Sequence, residues 1–132
     1  MISDGEIDLV EILGSSIKPD AGAVVAFVGV VRADPGVMGL EVEAYEEAAL
    51  EELRRIKEEA IARFGVSSVD VVHRTGRLSL GEVIVVVVCG SSHRREAFQA
   101  CEYVIDELKR RVPIWKKEQT EEGERWVRGD AC

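Results

Sequence analysis

Residues 81–119 read GEVIVVVVCGSSHRREAFQACEYVIDELKRRVPIWKKEQ, and this stretch decides the fold. Its first part, Glu82 to Gly90, is short and apolar on both faces, which predicts a central strand covered on two sides. Ser91 or Ser92 can cap a following helix, whose apolar positions Ala97, Phe98, Cys101, Val104, Ile105, Leu108 and Val112 recur at helical spacing. Pro113 stops that helix. Two short segments, IWKKEQ (Ile114 to Gln119) and ERWVRG (Glu124 to Gly129), are joined by TEEG and predict a hairpin.

Working back from this block, GAVVAFVGVVR (Gly22 to Arg32) is rich in β-branched residues and predicts a buried strand, with Gly29 marking a bulge or a close backbone approach. ADPGVMG (Ala33 to Gly39) is turn chemistry, so Arg32 stands at the lip of a strand beside a loop. Leu40 to Tyr45 alternates apolar and acidic residues, the pattern of a half-exposed strand. From Glu46 to Phe64 the positions Ala49, Leu50, Leu53, Ile56, Ala60 and Ile61 trace a helical stripe that Gly65 ends. Val66 to Arg74 predicts another strand, and Arg77 to Gly81 a turn. Glu6 to Ser15 carries only a weak signal, for a short passage from strand into helix. The order is that of an α+β fold with two main helices packed on a mixed sheet. At 132 residues the chain is expected to form one domain spanning 1–132.

Charge and composition exclude several classes of function. Hydrophobic residues at 46% and charged residues at 32% give a chain able to bury a core. A net charge of −8 argues against general nucleic-acid or anionic-membrane binding. The longest apolar run, Val83 to Cys89, is too short to span a bilayer, and the acidic start MISDGEID is unlike a signal peptide, so a cytoplasmic location is expected. Cys89, Cys101 and Cys132 form no CxxC pair and suggest neither a disulfide framework nor a zinc site. His73 and His93 show no metal-ligand spacing, so no bound metal is expected.

Against that acidic background, Ser91 to Lys117 carries seven Lys or Arg and four Asp or Glu, a local +3. Such a segment suits a small anion, and equally suits a solvated helix face. His93, Arg94 and Arg95 stand where a helix start offers free N–H groups and a positive dipole end. Lys109 lies at the edge of the apolar stripe, where partial burial of an amine lowers its pKa towards acid/base use; most lysines so placed only snorkel. Trp115 and Trp126 beside Lys116 and Lys117 could hold a flat heterocycle, or could pack in a core. His93 and Lys109 are sixteen residues apart on one helix, hence about 24 Å apart along its axis. One small molecule touched by both must lie between two copies of the chain.

The strings GAVVAFVGVVR, VVHRTGRL, GEVIVVVVCGSSHRREAF, ELKRRVPIWKKE and GERWV, in this order and spacing, resemble the large, catalytic subunit of molybdopterin synthase over nearly everything from Gly22 to Val127. The resemblance implies an α/β hammerhead fold with an added small antiparallel sheet. It implies a sulfurtransferase that converts cyclic pyranopterin monophosphate to molybdopterin without a cofactor of its own. The sulfur would come from a small ubiquitin-like partner whose C-terminal Gly-Gly tail ends in a thiocarboxylate, bound to a homodimer at the core of a heterotetramer. Carried over by motif, the essential lysine is Lys109, with Lys116 assisting, and the phosphate-holding set is Arg32, His93 and Arg94. Val30, Val31, Lys117 and Glu118 complete the implied pocket by position. An arginine often stands a few residues beyond the RWV pattern, whereas here Arg128 follows Val127 directly. A non-catalytic α+β module binding a phosphorylated small ligand is the alternative; it would need Arg32, His93 and Arg94 but not Lys109.

Overall fold

The computed structural model describes residues 1–127. Eleven elements follow along the chain among these residues: β1 (Ile2–Ser3), α1 (Leu9–Ser16), β2 (Ala23–Val30), β3 (Val37–Ala44), α2 (Glu46–Phe64), β4 (Ser68–Arg74), β5 (Gly76–Ser79), β6 (Val83–Ser91), α3 (Arg94–Arg111), β7 (Ile114–Thr120) and β8 (Gly123–Val127). They build an α+β fold with two four-stranded sheets, ordered β1-β4-β6-β2 and β5-β3-β7-β8. The first sheet is mixed, because β1 runs parallel to β4 while the other pairs are antiparallel. The second is antiparallel throughout. Arg128 and Cys132, both singled out in the sequence, lie outside the described residues.

Strand β6 is the central element its composition predicts. From Ile84 to Ser91 every residue is buried, with β4 and β2 on its two edges and α3 against it. Helix α2 spans Glu46–Phe64 as its periodicity requires, and Gly65, at φ +68°, closes it in a left-handed conformation that a glycine adopts without strain. Ala49, Leu53, Ile56 and Ala60 are its buried positions, while Leu50 and Ile61 from the expected stripe stay partly in solvent. The apolar side of α3 buries Ala97, Ala100, Cys101, Val104, Ile105 and Leu108.

Several expectations need correction. Strand β2 is not a buried strand but the edge of the first sheet, where Ala26, Val28 and Val30 face outward. A β-branched run marks a strand without saying how many neighbours it has. The weak segment at Glu6 to Ser15 is a true helix, α1, started by Asp8, whose carboxylate accepts from the Glu11 backbone N–H at 3.1 Å. Part of the expected turn at Arg77 to Gly81 is strand β5, held by pairing with β3. His93, not Ser91 or Ser92, occupies the cap position of α3 and makes no side-chain capping bond, because Ser91 is still in β6. Phe98 points away from the core with 60% of its surface exposed.

The two long helices are clamped by charge. Arg111 of α3 reaches Glu52 at 2.7 Å and Glu59 at 2.6 Å on α2, and the Tyr103 hydroxyl donates to Glu59 at 2.6 Å. Arg111 first and Tyr103 second pull the Glu59 carboxyl down from 4.5 to about 2. The folded state therefore holds its proton less tightly than the unfolded chain. The associated stability is fully present above about pH 4.5 and is lost as pH falls towards 2. Chemical denaturation of wild type and Glu59→Gln across this range should show a gap in stability at neutral pH that closes on acidification; a gap independent of pH would contradict the clamp.

Candidate active site

Four elements converge at the Val83 end of the central strand. His73 of β4 pairs with Val85, and Val30 of β2 pairs with Val83, so both neighbouring strands deliver residues there. The C-terminal part of α3 and the start of β7 close over the same end. A small hollow of about 20 Å³ is lined by His73, Val85, Ile105, Leu108, Lys109, Val112, Ile114 and Lys116. The two lysines named from sequence are thus brought together, Lys109 from the last turn of α3 and Lys116 from β7. Lys116 is only 4% exposed, with its ammonium in an otherwise largely apolar wall.

A second hollow, of about 30 Å³, shares Lys116 and adds Val30, Val31, Arg32, Asp34, Val37, Leu40, Ile84 and Glu118. Its rim is set by the bulge between Gly29 and Val30. After the bulge, Val31 turns inward: its N–H donates to the Glu82 carbonyl at 2.9 Å and its carbonyl accepts from Gly81 at 2.8 Å. Arg32 is then thrown outward, its guanidinium 67% exposed and paired with Asp34 at 2.8 Å. Such an exposed cation suits a phosphate that arrives from solvent. Glu118 pairs with Arg125 of β8, which fixes the far wall.

Not every expected residue comes to these hollows. His93 and Arg94 stand at the opposite end of α3, both exposed. Lys117 points to the other face of β7, since successive residues of a strand alternate. There it pairs with Glu124 at 3.1 Å and lies over the Trp126 ring at 4.7 Å. Trp115 and Trp126 are half exposed rather than packed as a core pair. A separate cavity of about 580 Å³ between α1, α2 and β4 contains none of the expected site residues.

Sequence reasoning passed over His73, which proves to be 1% exposed and in the wall beside both lysines. Burial first, with the Lys116 charge among the lesser causes, pushes its ring down to about 4, so it is neutral near neutral pH. The run VVHR carries the signal, a titratable ring inside an apolar strand. Cys89 and Cys101 are free and buried, as expected. Contact with Cys101 and then burial raise the Cys89 thiol far above the ordinary range, which makes it a poor sulfur nucleophile.

Gly29 is the hinge of this geometry. A Cβ there would stand 2.7 Å from the Val85 side chain. Gly29→Ala should therefore lower unfolding stability by about 1–3 kcal/mol, measured by denaturant titration. An unchanged midpoint would show that the strand can relax around the methyl group.

The family described as MoaE protein matches residues 2–111. The chain is 41% identical over 128 residues to the molybdopterin synthase catalytic subunit of Pyrococcus abyssi, covering 95% of this chain and 86% of that one. To the subunit of the same name from Pseudomonas aeruginosa it is 49% identical over 111 residues, 82% of this chain and 74% of that one. The crystal structure of molybdopterin synthase from Staphylococcus aureus superposes with a TM-score of 0.91 at 35% identity, covering 96% and 94% of the two chains.

Proposed function

The chain belongs to the MoaE family of molybdopterin synthase catalytic subunits, and from that premise we propose that it inserts the dithiolene sulfurs into cyclic pyranopterin monophosphate, taking them from a thiocarboxylated small subunit. The observation that carries this reading is the meeting of Lys109 and Lys116 in one hollow that abuts the Arg32 rim through their shared neighbour Lys116. Sulfur transfer requires the thiocarboxylate to attack a pterin side-chain carbon while an oxygen departs, and protons must move in both steps. Lys109 supplies that acid/base function, with Lys116 stabilising developing negative charge. Arg32 holds the substrate phosphate by charge-assisted hydrogen bonds. The buried cysteines support an external sulfur source, since neither is placed to carry sulfur to a substrate.

His93 and Arg94 join the site only if two copies share it. Strand β2 supports that arrangement, because it is an eight-residue edge whose backbone groups have no strand partner on one side among the described residues. Antiparallel pairing of β2 with its own copy would set the partner's Ala23 end beside Val30. Ala23 pairs with Ser91, two residues before His93, so the partner's helix start arrives next to Arg32. The exposure of Val28, Val30 and Phe98 fits a face that such a copy covers. Each dimer would then carry two sites and bind two small subunits, giving a heterotetramer.

The lysine assignment is tested by Lys109→Ala assayed with precursor and thiocarboxylated small subunit, product being followed by mass spectrometry. Product formation should be lost while the circular dichroism and melting curve stay near wild type, since Lys109 is not a core residue. Normal turnover by the folded variant would overturn the assignment and favour a module that only binds a phosphorylated ligand. The delivery route is tested separately: removing the C-terminal glycines of the small subunit should abolish sulfur transfer, and full activity with a tailless partner would contradict a tail reaching these lysines.

A further inference from the structure

His73 and Lys116 are the two nearly inaccessible titratable side chains in the wall of the lysine hollow, and no step above uses His73. Its Nδ1 lies 2.8 Å from the Arg74 carbonyl oxygen. A carbonyl only accepts, so Nδ1 must carry the proton. In the neutral ring Nε2 is then left with a bare lone pair. The Arg74 side chain that follows is itself pinned, donating to Glu82 at 2.9 Å and to the Asp4 carbonyl at 3.1 Å, so the carbonyl that orients the ring sits on a fixed segment. Around the ring the described charges are Lys116 on β7, Lys109 on α3 and the N-terminal ammonium. A hollow of about 20 Å³ between them has room for roughly one water-sized group.

From this geometry we propose that His73 is a positioning residue: held as the Nδ1–H tautomer by the Arg74 carbonyl, it offers Nε2 as the acceptor that aims the Lys116 ammonium when substrate is bound. A neutral acceptor suits this place better than a carboxylate. It directs a lysine without cancelling the positive charge that an anionic substrate meets. The ring's low affinity for protons, caused mainly by burial, keeps it neutral among cations and so keeps the lone pair available. The inference rests on the reading of Lys116 as a lysine of the reaction, but the orienting contact can be tested without turnover.

Three measurements on the full-length protein decide it. Nitrogen NMR of the wild-type imidazole should find His73 neutral at neutral pH with its proton on Nδ1; a proton on Nε2 overturns the proposal. Next, with cyclic pyranopterin monophosphate bound and no small subunit present to turn it over, Lys116 is labelled with acetic anhydride in wild type, His73→Phe and His73→Gln, and its rate is read by mass spectrometry against the exposed Lys57. Loss of the acceptor in His73→Phe should speed labelling of Lys116 roughly tenfold, and the Gln variant, which keeps an acceptor at similar reach, should restore most of the protection. An unchanged rate in folded His73→Phe overturns the role, as does an equal rise in both variants, which would mark simple loosening. Should His73→Phe not fold, the tautomer and the Gln variant still decide. Finally, Lys116→Ala with normal turnover would overturn the reading of Lys116 as a reacting lysine, while the labelling result would still establish the contact.

Discussion

The structure depends on one constraint: β6 must be hydrogen-bonded on both edges and kept from water along its length. Ile84 to Ser91 are all buried, and most are β-branched residues that pack well only inside a sheet. That demand recruits β2 and β4 as neighbours and α3 as a cover. It also separates two groups of candidate site residues. At the Val83 end the register delivers Val30 and His73, with Lys109 and Lys116 closing over them. At the Ser91 end the chain passes directly into His93 and Arg94. A strand that cannot bend and a helix that spans its length hold these groups apart.

Within one chain, the Val83 end gathers Lys109, Lys116 and Arg32, to which the proposed reaction gives proton transfer and the holding of a phosphate. Lys116 links the two roles because its side chain walls both hollows. The bulge at Gly29 turns Val31 inward and Arg32 outward, so the apolar lining and the exposed cation come from consecutive residues. The lysines lie against an apolar wall where water is scarce, and charges there interact more strongly than on an open surface. The acidic remainder of the molecule, by contrast, places some of its carboxylates in surface pairs such as Arg54 with Glu51 and Glu58.

Much of this was legible in the sequence because periodicity and punctuation are local. The α2 stripe with Gly65, the apolar β6, the Pro113 stop and the β7–β8 hairpin all follow from residues near one another. What the sequence left open depends on partners distant in the chain. The edge status of β2 and the existence of β5 are set by which strands pair, and a β-branched run looks alike at an edge and in a centre. Phe98 occupies a stripe position on the helical wheel but falls beyond the sheet that α3 covers. Lys116 and Lys117 could have been told apart in advance, since adjacent strand residues face opposite ways. His73 was missed because no spacing ties it to Lys109 or Lys116; only the fold brings a residue of β4 against α3 and β7.

The central claim is that each catalytic site combines the lysine end of one chain with the His93 end of another. Its most direct test mixes two inactive proteins, one carrying His93→Ala with Arg94→Ala and the other Lys109→Ala, under conditions that exchange subunits. In every heterodimer one site gathers all the defects and the other gathers none. Random exchange makes about half the dimers mixed, so activity should return to roughly a quarter of the wild-type value. No recovery, with heterodimers confirmed by native mass spectrometry, would contradict the shared site.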